Sequence, residues 1–294
     1  MAAEVVGKSA WVRRLADYWA LTKAKQTALL LLTGVAGYVM PLGRSASPAR
    51  AAAMALGLFL SLAGCTALNM LLDREIDARM SRTAARPLPQ GRLRPLEAGL
   101  FGGVLSLAGL GLCFRLQPAF GGVVAAGFFF DLLVYTAWLK RRTALSILFG
   151  GVAGGMPILA GRTLALGHID ALGLLLSGSV LLWIPAHILS LALHYAEDYR
   201  RAGIPVWPNR YGAHSTRVVV VAASALNAVA LGAAAWVARV HPLALGLQLA
   251  AGMLMLLLAL GQLVRPTERG NWRLFKAASV YMLGSTLLLT LGSL

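Results

Sequence analysis

Residues 52–77 read AAMALGLFLSLAGCTALNMLLDREID, an apolar run long enough to cross a bilayer that ends in Asn69-Met-Leu-Leu-Asp73-Arg-Glu-Ile-Asp77. At four-residue spacing Asn69, Asp73 and Asp77 share one face of a helix, each about 6 Å further along its axis. Carboxylates beside a bilayer are costly unless paired, metal-bound or turned toward an aqueous cavity. Two carboxylates with an amide suit a hard cation such as Mg²⁺, which takes oxygen ligands and bridges readily to phosphate. A solvated helix end, paired with Arg74 and Arg79, is the bland alternative. It leaves Asn69 unexplained, deeper in the apolar run.

The rest of the chain is of one kind. Of its 294 residues 58% are hydrophobic and 13% charged, the composition of a membrane protein. Apolar runs near 28–43, 52–72, 98–115, 118–138, 144–162, 170–193, 218–238, 243–264 and 275–294 predict an all-α protein with nine transmembrane helices. Residues 1–294 are expected to form a single integral-membrane domain, with 1–27 as a cytoplasmic amino-terminal segment and no cleavable signal peptide. The two longest loops, 73–97 and 194–217, both follow spans with polar ends. Those spans are four apart, which hints at two related halves. Glycines such as Gly150, Gly151, Gly154 and Gly155 are expected to allow close helix contacts.

Charge sets the orientation. With alternating spans, 22 of the 27 basic residues fall on one side, from Lys8, Arg13, Arg14, Lys23 and Lys25 through the 73–97 loop to Lys276. Arg44, Arg50, Arg115, Arg162 and Arg239 fall on the other. By the positive-inside rule the crowded side is cytoplasmic. Topology thus accounts for most of the +16 net charge, and nucleic acid is not an expected partner. Cys65 and Cys113 lack metal-ligand spacing and read as packing residues.

Three polar constellations carry chemistry. Beyond Asp77, Arg79, Arg82 and Arg86 precede Pro87-Leu-Pro89. Guanidinium forks beside a carboxylate-bound metal make a diphosphate clamp, with Arg82 and Arg86 its best members. The second is His187, then His194-Tyr195-Ala196-Glu197-Asp198-Tyr199. Glu197 and Asp198 are candidates for a further Mg²⁺, whereas zinc is disfavoured because the histidines are seven apart with no cysteine between them. The third is Tyr135-Thr136-Ala-Trp138-Leu-Lys140-Arg141-Arg142, where Lys140 or Arg141 either reaches a phosphate or snorkels to the interface. Asp131, deeper in that span, either faces the same cavity or pairs with a basic group such as His187. A transporter would place such acids near the midplane on broken helices, and here only Asp131 is deep.

Together these residues resemble the UbiA superfamily of intramembrane prenyltransferases, most closely its heme O synthase (protoheme IX farnesyltransferase) branch. The resemblance runs through Asp17 to Lys23, Asn69 to Pro89, Tyr135 to Thr143, Gly150 to Pro157 and Asp198 to Pro205. It implies a nine-helix horseshoe with a lateral opening to lipid and a cytoplasmic polar cap, in a prokaryotic cell membrane. It also implies Mg²⁺ as cofactor, farnesyl or another prenyl diphosphate as donor and protoheme IX as acceptor. Asn69, Asp73, Asp77 and Asp198 would be catalytic, with Asp73, Asp77, Glu197 and Asp198 holding metal. Arg82, Arg86, Lys140 and Arg141 would hold diphosphate, and His187, Tyr135, Tyr195 and Asp131 would face the acceptor. Ile188 and Leu189 stand where that branch carries aromatics, and Ala196 where it carries lysine. An acceptor pocket with fewer stacking surfaces is therefore expected, and a quinone precursor is the alternative acceptor.

Overall fold

A computed structural model describes residues 10–294; Lys8, assigned above to the basic side, lies outside the described residues. Among these residues nine helices are long and apolar enough to cross a membrane, and the molecule is all-helical. They are α2 (Ala24–Leu42), α3 (Pro48–Ala78), α4 (Pro95–Leu116), α5 (Pro118–Leu139), α6 (Ser146–Leu166), α7 (Ala171–His194), α9 (Trp207–Val237), α10 (Pro242–Val264) and α11 (Glu268–Gly292). Two shorter helices, α1 (Ala10–Leu21) and α8 (Ala196–Arg201), belong to the basic end. The seventh span begins earlier than hydropathy suggests, because α9 runs through a kink at Gly212 (φ 82°) before turning apolar.

Local chemistry sets where the spans begin. Pro48, Pro95, Pro118 and Pro242 each occupy the first helical turn, where a missing N–H costs nothing. The Ser47 hydroxyl accepts from the Arg50 N–H, and Asp170 accepts from the Gly173 N–H, capping α3 and α7. Consecutive spans pack side by side, and α11 returns against α2, so the helices form a ring with a seam between first and last. One close crossing needs glycine: a Cβ on Gly161 of α6 would lie 1.9 Å from the Gly34 carbonyl oxygen of α2. Likewise a Cβ on Gly155 would sit 2.5 Å from the Ser177 carbonyl oxygen, which ties α6 to α7.

Two stretches depart from α-helix. The carboxy-terminal half of α5, Phe129–Leu139, is π-helical, and so is Pro185–Leu189 within α7. Wider turns of this kind concentrate at functional sites because they re-aim side chains. Here they carry Asp131 and Tyr135 in one case and His187 in the other.

At the basic end the two long loops dock on one another. Ile76 and Met80 pack with Ala202 and Ile204, and the Ser81 hydroxyl donates to Asp198 at 2.5 Å. This joins the end of α3 to α8 and roofs the space inside the ring.

Candidate active site

Helix α3 supplies the floor of the site. Asn69, Asp73 and Asp77 are all buried and line one cavity of about 220 Å³, together with Lys23, Arg82, Arg86, Asp131, Tyr135, Lys140 and Tyr199. The four-residue spacing thus places the three side chains as expected. Asn69 donates to the Thr136 hydroxyl at 2.7 Å, which fixes α3 against the π-helical stretch of α5. Asp77 accepts from Arg86 at 2.6 Å, and Asp73 accepts from Lys140. Burial works against the Lys140 charge, but Tyr135 and Asp73 outweigh it and raise its pKa.

The second oxygen of Asp73, Oδ1, is buried with no hydrogen-bond partner. An orphaned carboxylate oxygen is costly and leaves room in its bonding for a further positive group. A divalent cation fits that donor set. Mg²⁺ is commonly held by one or two carboxylates plus substrate phosphates, keeping several waters. Among the described residues no three His, Cys, Asp or Glu side chains come close enough to enclose an ion by themselves.

Glu197 and Asp198 do not join this set. Asp198 is buried but engaged by Ser81 and Arg201, and Glu197 is exposed and paired with Arg200 at 2.6 Å. The Ser81 hydroxyl, then Arg201, hold the Asp198 carboxyl below the usual carboxylate range. Neither side chain lines the acid cavity. Of this pair Asp198 ties the two cap loops through Ser81, while Glu197 pairs within its own helix. Arg141 does not line the cavity: it is exposed and donates to the Leu72 carbonyl of α3 at 2.8 Å. Lys140, one residue before it, is the one that turns inward.

Lys23 is a cavity residue that charge counting alone placed on the membrane surface. It takes a left-handed conformation, φ 45° and ψ 49°, at the break between α1 and α2, and this turns its side chain inward. Burial first, and Arg86 second, lower its pKa to about 8. The signal was present, since Lys23 closes the Asp17 to Lys23 stretch, but its direction was not.

His187 does not face the acids. It lines a separate apolar pocket of about 110 Å³ between α2, α6, α7 and α11, whose rim residues Leu29 and Leu283 are exposed on the outer face. The Ser279 hydroxyl lies 3.3 Å from His187 Nδ1. The imidazole is stacked between Trp183 and Phe275, with ring centroids 4.6 and 4.5 Å away. Phe275 stacks in turn on Trp272 at 5.0 Å, Trp272 meets His194 at 4.9 Å, and His194 meets Tyr195 at 4.7 Å. Arg82 then lies 5.5 Å above the Tyr195 ring. An aromatic ladder therefore climbs from the seam to the polar cap. The expected shortage of stacking surfaces is corrected: Ile188 and Leu189 are not aromatic, but α11 supplies the rings.

Asp131 resolves between its two alternatives. It lines the acid cavity and does not meet His187; its Oδ2 accepts from Cys65 Sγ at 3.3 Å. Cys65 is thus more than a packing residue, whereas Cys113 sits in the core with Met54, Leu58 and Phe120.

A transmembrane helical ring with acids, arginines and lysines under a basic cap defines a class, and the chain belongs to it: the UbiA prenyltransferase family, whose profile matches residues 30–283. Within that family the chain is 39% identical over 271 residues to protoheme IX farnesyltransferase of Thermofilum pendens, covering 90% of this chain and 94% of that one. It is 43% identical over 216 residues to protoheme IX farnesyltransferase of Korarchaeum cryptofilum, with 72% of each chain covered. Solved structures share the fold. A structure of digeranylgeranylglyceryl phosphate synthase superposes with a TM-score of 0.80 at 18% identity, covering 96% of this chain and 99% of the other. A UbiA homologue from Archaeoglobus fulgidus, bound to GPP and Mg²⁺, gives 0.72 at 14% identity, covering 93% and 99%.

Proposed function

We propose that this prenyltransferase moves a farnesyl group from its diphosphate to a vinyl group of protoheme IX, giving heme O. The relatives of about 40% identity over most of the chain bear that name, and the site suits the chemistry. The observation that carries the reading is the arrangement around Asp73: one oxygen met by Lys140, the other without a partner, beside Asp77 and Arg86.

The residues divide the work. Asp73 and Asp77 would hold Mg²⁺, which would supply positive charge to offset that developing on the leaving diphosphate. Lys140, Arg86, Arg82 and Lys23 bind the diphosphate oxygens, stabilising the same charge by hydrogen bonds aimed at it in advance. The prenyl chain runs toward the apolar interior, where exclusion of water limits hydrolysis of the allylic cation. The acceptor enters from lipid through the seam between α2 and α11. There Trp183, His187 and Phe275 offer flat surfaces and an imidazole able to ligate iron or bond a propionate. The basic end faces the cytoplasm of a prokaryotic cell.

Extracting heme from membranes that contain the protein and reading its mass tests this. A farnesyl-hydroxyethyl heme should appear. Unmodified protoheme, with active protein and farnesyl diphosphate both present, contradicts the reading.

A further inference from the structure

Three carboxylates line the acid cavity, and two are engaged by cations: Asp73 by Lys140 and Asp77 by Arg86. Asp131 is the third. No ion pair among the described residues includes it, and its only side-chain bond is the one accepted from Cys65. It stands on the π-helical stretch of α5, one turn deeper than Tyr135 and well below Lys140. Thr66 and Asn69 of α3 line the same cavity, so it holds polar side chains although the level is deep in the apolar layer. An ionisable group so placed inside a membrane protein needs a task, because its burial is costly.

The chemistry leaves one task unassigned. When a vinyl group attacks the prenyl C1, a C–C bond forms, the C1–O bond breaks, and its electron pair leaves with diphosphate. The positive charge then sits on the inner vinyl carbon. Addition of a water oxygen to that carbon quenches it and leaves one proton too many. A base must take that proton, and Asp73 and Asp77 are committed to cations at the basic end.

We propose that Asp131 is this base: it orders the water that adds to the prenylated vinyl carbon and accepts its proton. The inference rests on the reading of protoheme as acceptor. Cys65 holds one oxygen of Asp131, Thr66 and Asn69 give the cavity polar lining for the water, and a positioned base of this kind accelerates proton transfer by roughly a hundredfold or more.

The test compares wild-type protein, Asp131→Asn and Asp131→Glu with protoheme, farnesyl diphosphate and Mg²⁺ in ¹⁸O-labelled water, with products read by mass. Wild-type protein should give a hydroxylated product carrying one ¹⁸O. Asp131→Asn should form it roughly a hundredfold more slowly and shift the partition toward the alkene lighter by one water. Asp131→Glu should recover much of the hydroxylated product. Hydroxylation by Asp131→Asn at the wild-type rate overturns the proposal. So does loss of prenyl-diphosphate-analogue binding in both variants, which makes Asp131 part of the donor scaffold. Wild-type protein that prenylates a phenol and never heme overturns the parent reading, and this step with it.

Discussion

Lys140 and Asp73 meet inside the cavity across 67 residues of sequence, and the Asp73 oxygen that Lys140 leaves free has no partner at all. A buried carboxylate oxygen without a partner is costly, and a metal with its phosphate is the completion we propose for it.

Asp73→Asn and Asp77→Asn should each cut turnover by orders of magnitude while leaving the helical fold intact. Steady-state rates over a Mg²⁺ series, with circular dichroism as control, check this. Near-normal rates in both variants contradict metal binding at α3.

Removing single cations should weaken the donor end alone. Arg86→Ala and Lys140→Ala each delete a charge-assisted bond worth about 2 kcal/mol, or roughly thirtyfold in affinity for an unreactive farnesyl diphosphate analogue. Acceptor affinity should hold. Calorimetric titration of both ligands separates the two ends, and the opposite pattern contradicts the cap assignment.

Lys23 gives the site a pH dependence. Burial and Arg86 bring its pKa down to about 8, so it is mostly charged at neutral pH and loses its proton as pH rises through that value. Analogue affinity should therefore be fullest below pH 8 and fall above it, in excess of any change seen with Lys23→Arg, whose charge persists. Parallel pH profiles for the two proteins contradict a role for Lys23.

The ladder predicts where acceptor affinity resides. Phe275→Ala opens one face of the His187 stack and should weaken protoheme binding, read by its absorption change, by roughly tenfold. Analogue binding should stay put. Trp183→Ala is the riskier variant, because the Trp183 indole N–H also donates to the Ala278 carbonyl and ties α7 to α11.

Sequence carried the spans and the first acidic face because both are local: twenty apolar residues and a four-residue repeat need no tertiary partner to be read. Direction was harder. Lys23 points inward through a left-handed residue that basic composition cannot reveal, and the π-helical turns that aim Asp131 and His187 have no periodic signature. Glu197 and Asp198 had the right residue types, but Ser81 from the other cap loop engages Asp198, and Arg200 and Arg201 of their own helix pair with Glu197 and Asp198. The stacking partners of His187 lie on the last helix, so its immediate neighbours, Ile188 and Leu189, gave a misleading impression of the pocket.

The most direct measurement is a competition between acceptors. Purified protein in lipid is given farnesyl diphosphate and Mg²⁺ with protoheme and a 4-hydroxybenzoate-type phenol together, and both products are followed by mass. Farnesylated hydroxyethyl heme should accumulate, the phenol should remain unmodified, and His187→Ala should abolish the heme product. A prenylated phenol with no heme product contradicts heme as the acceptor.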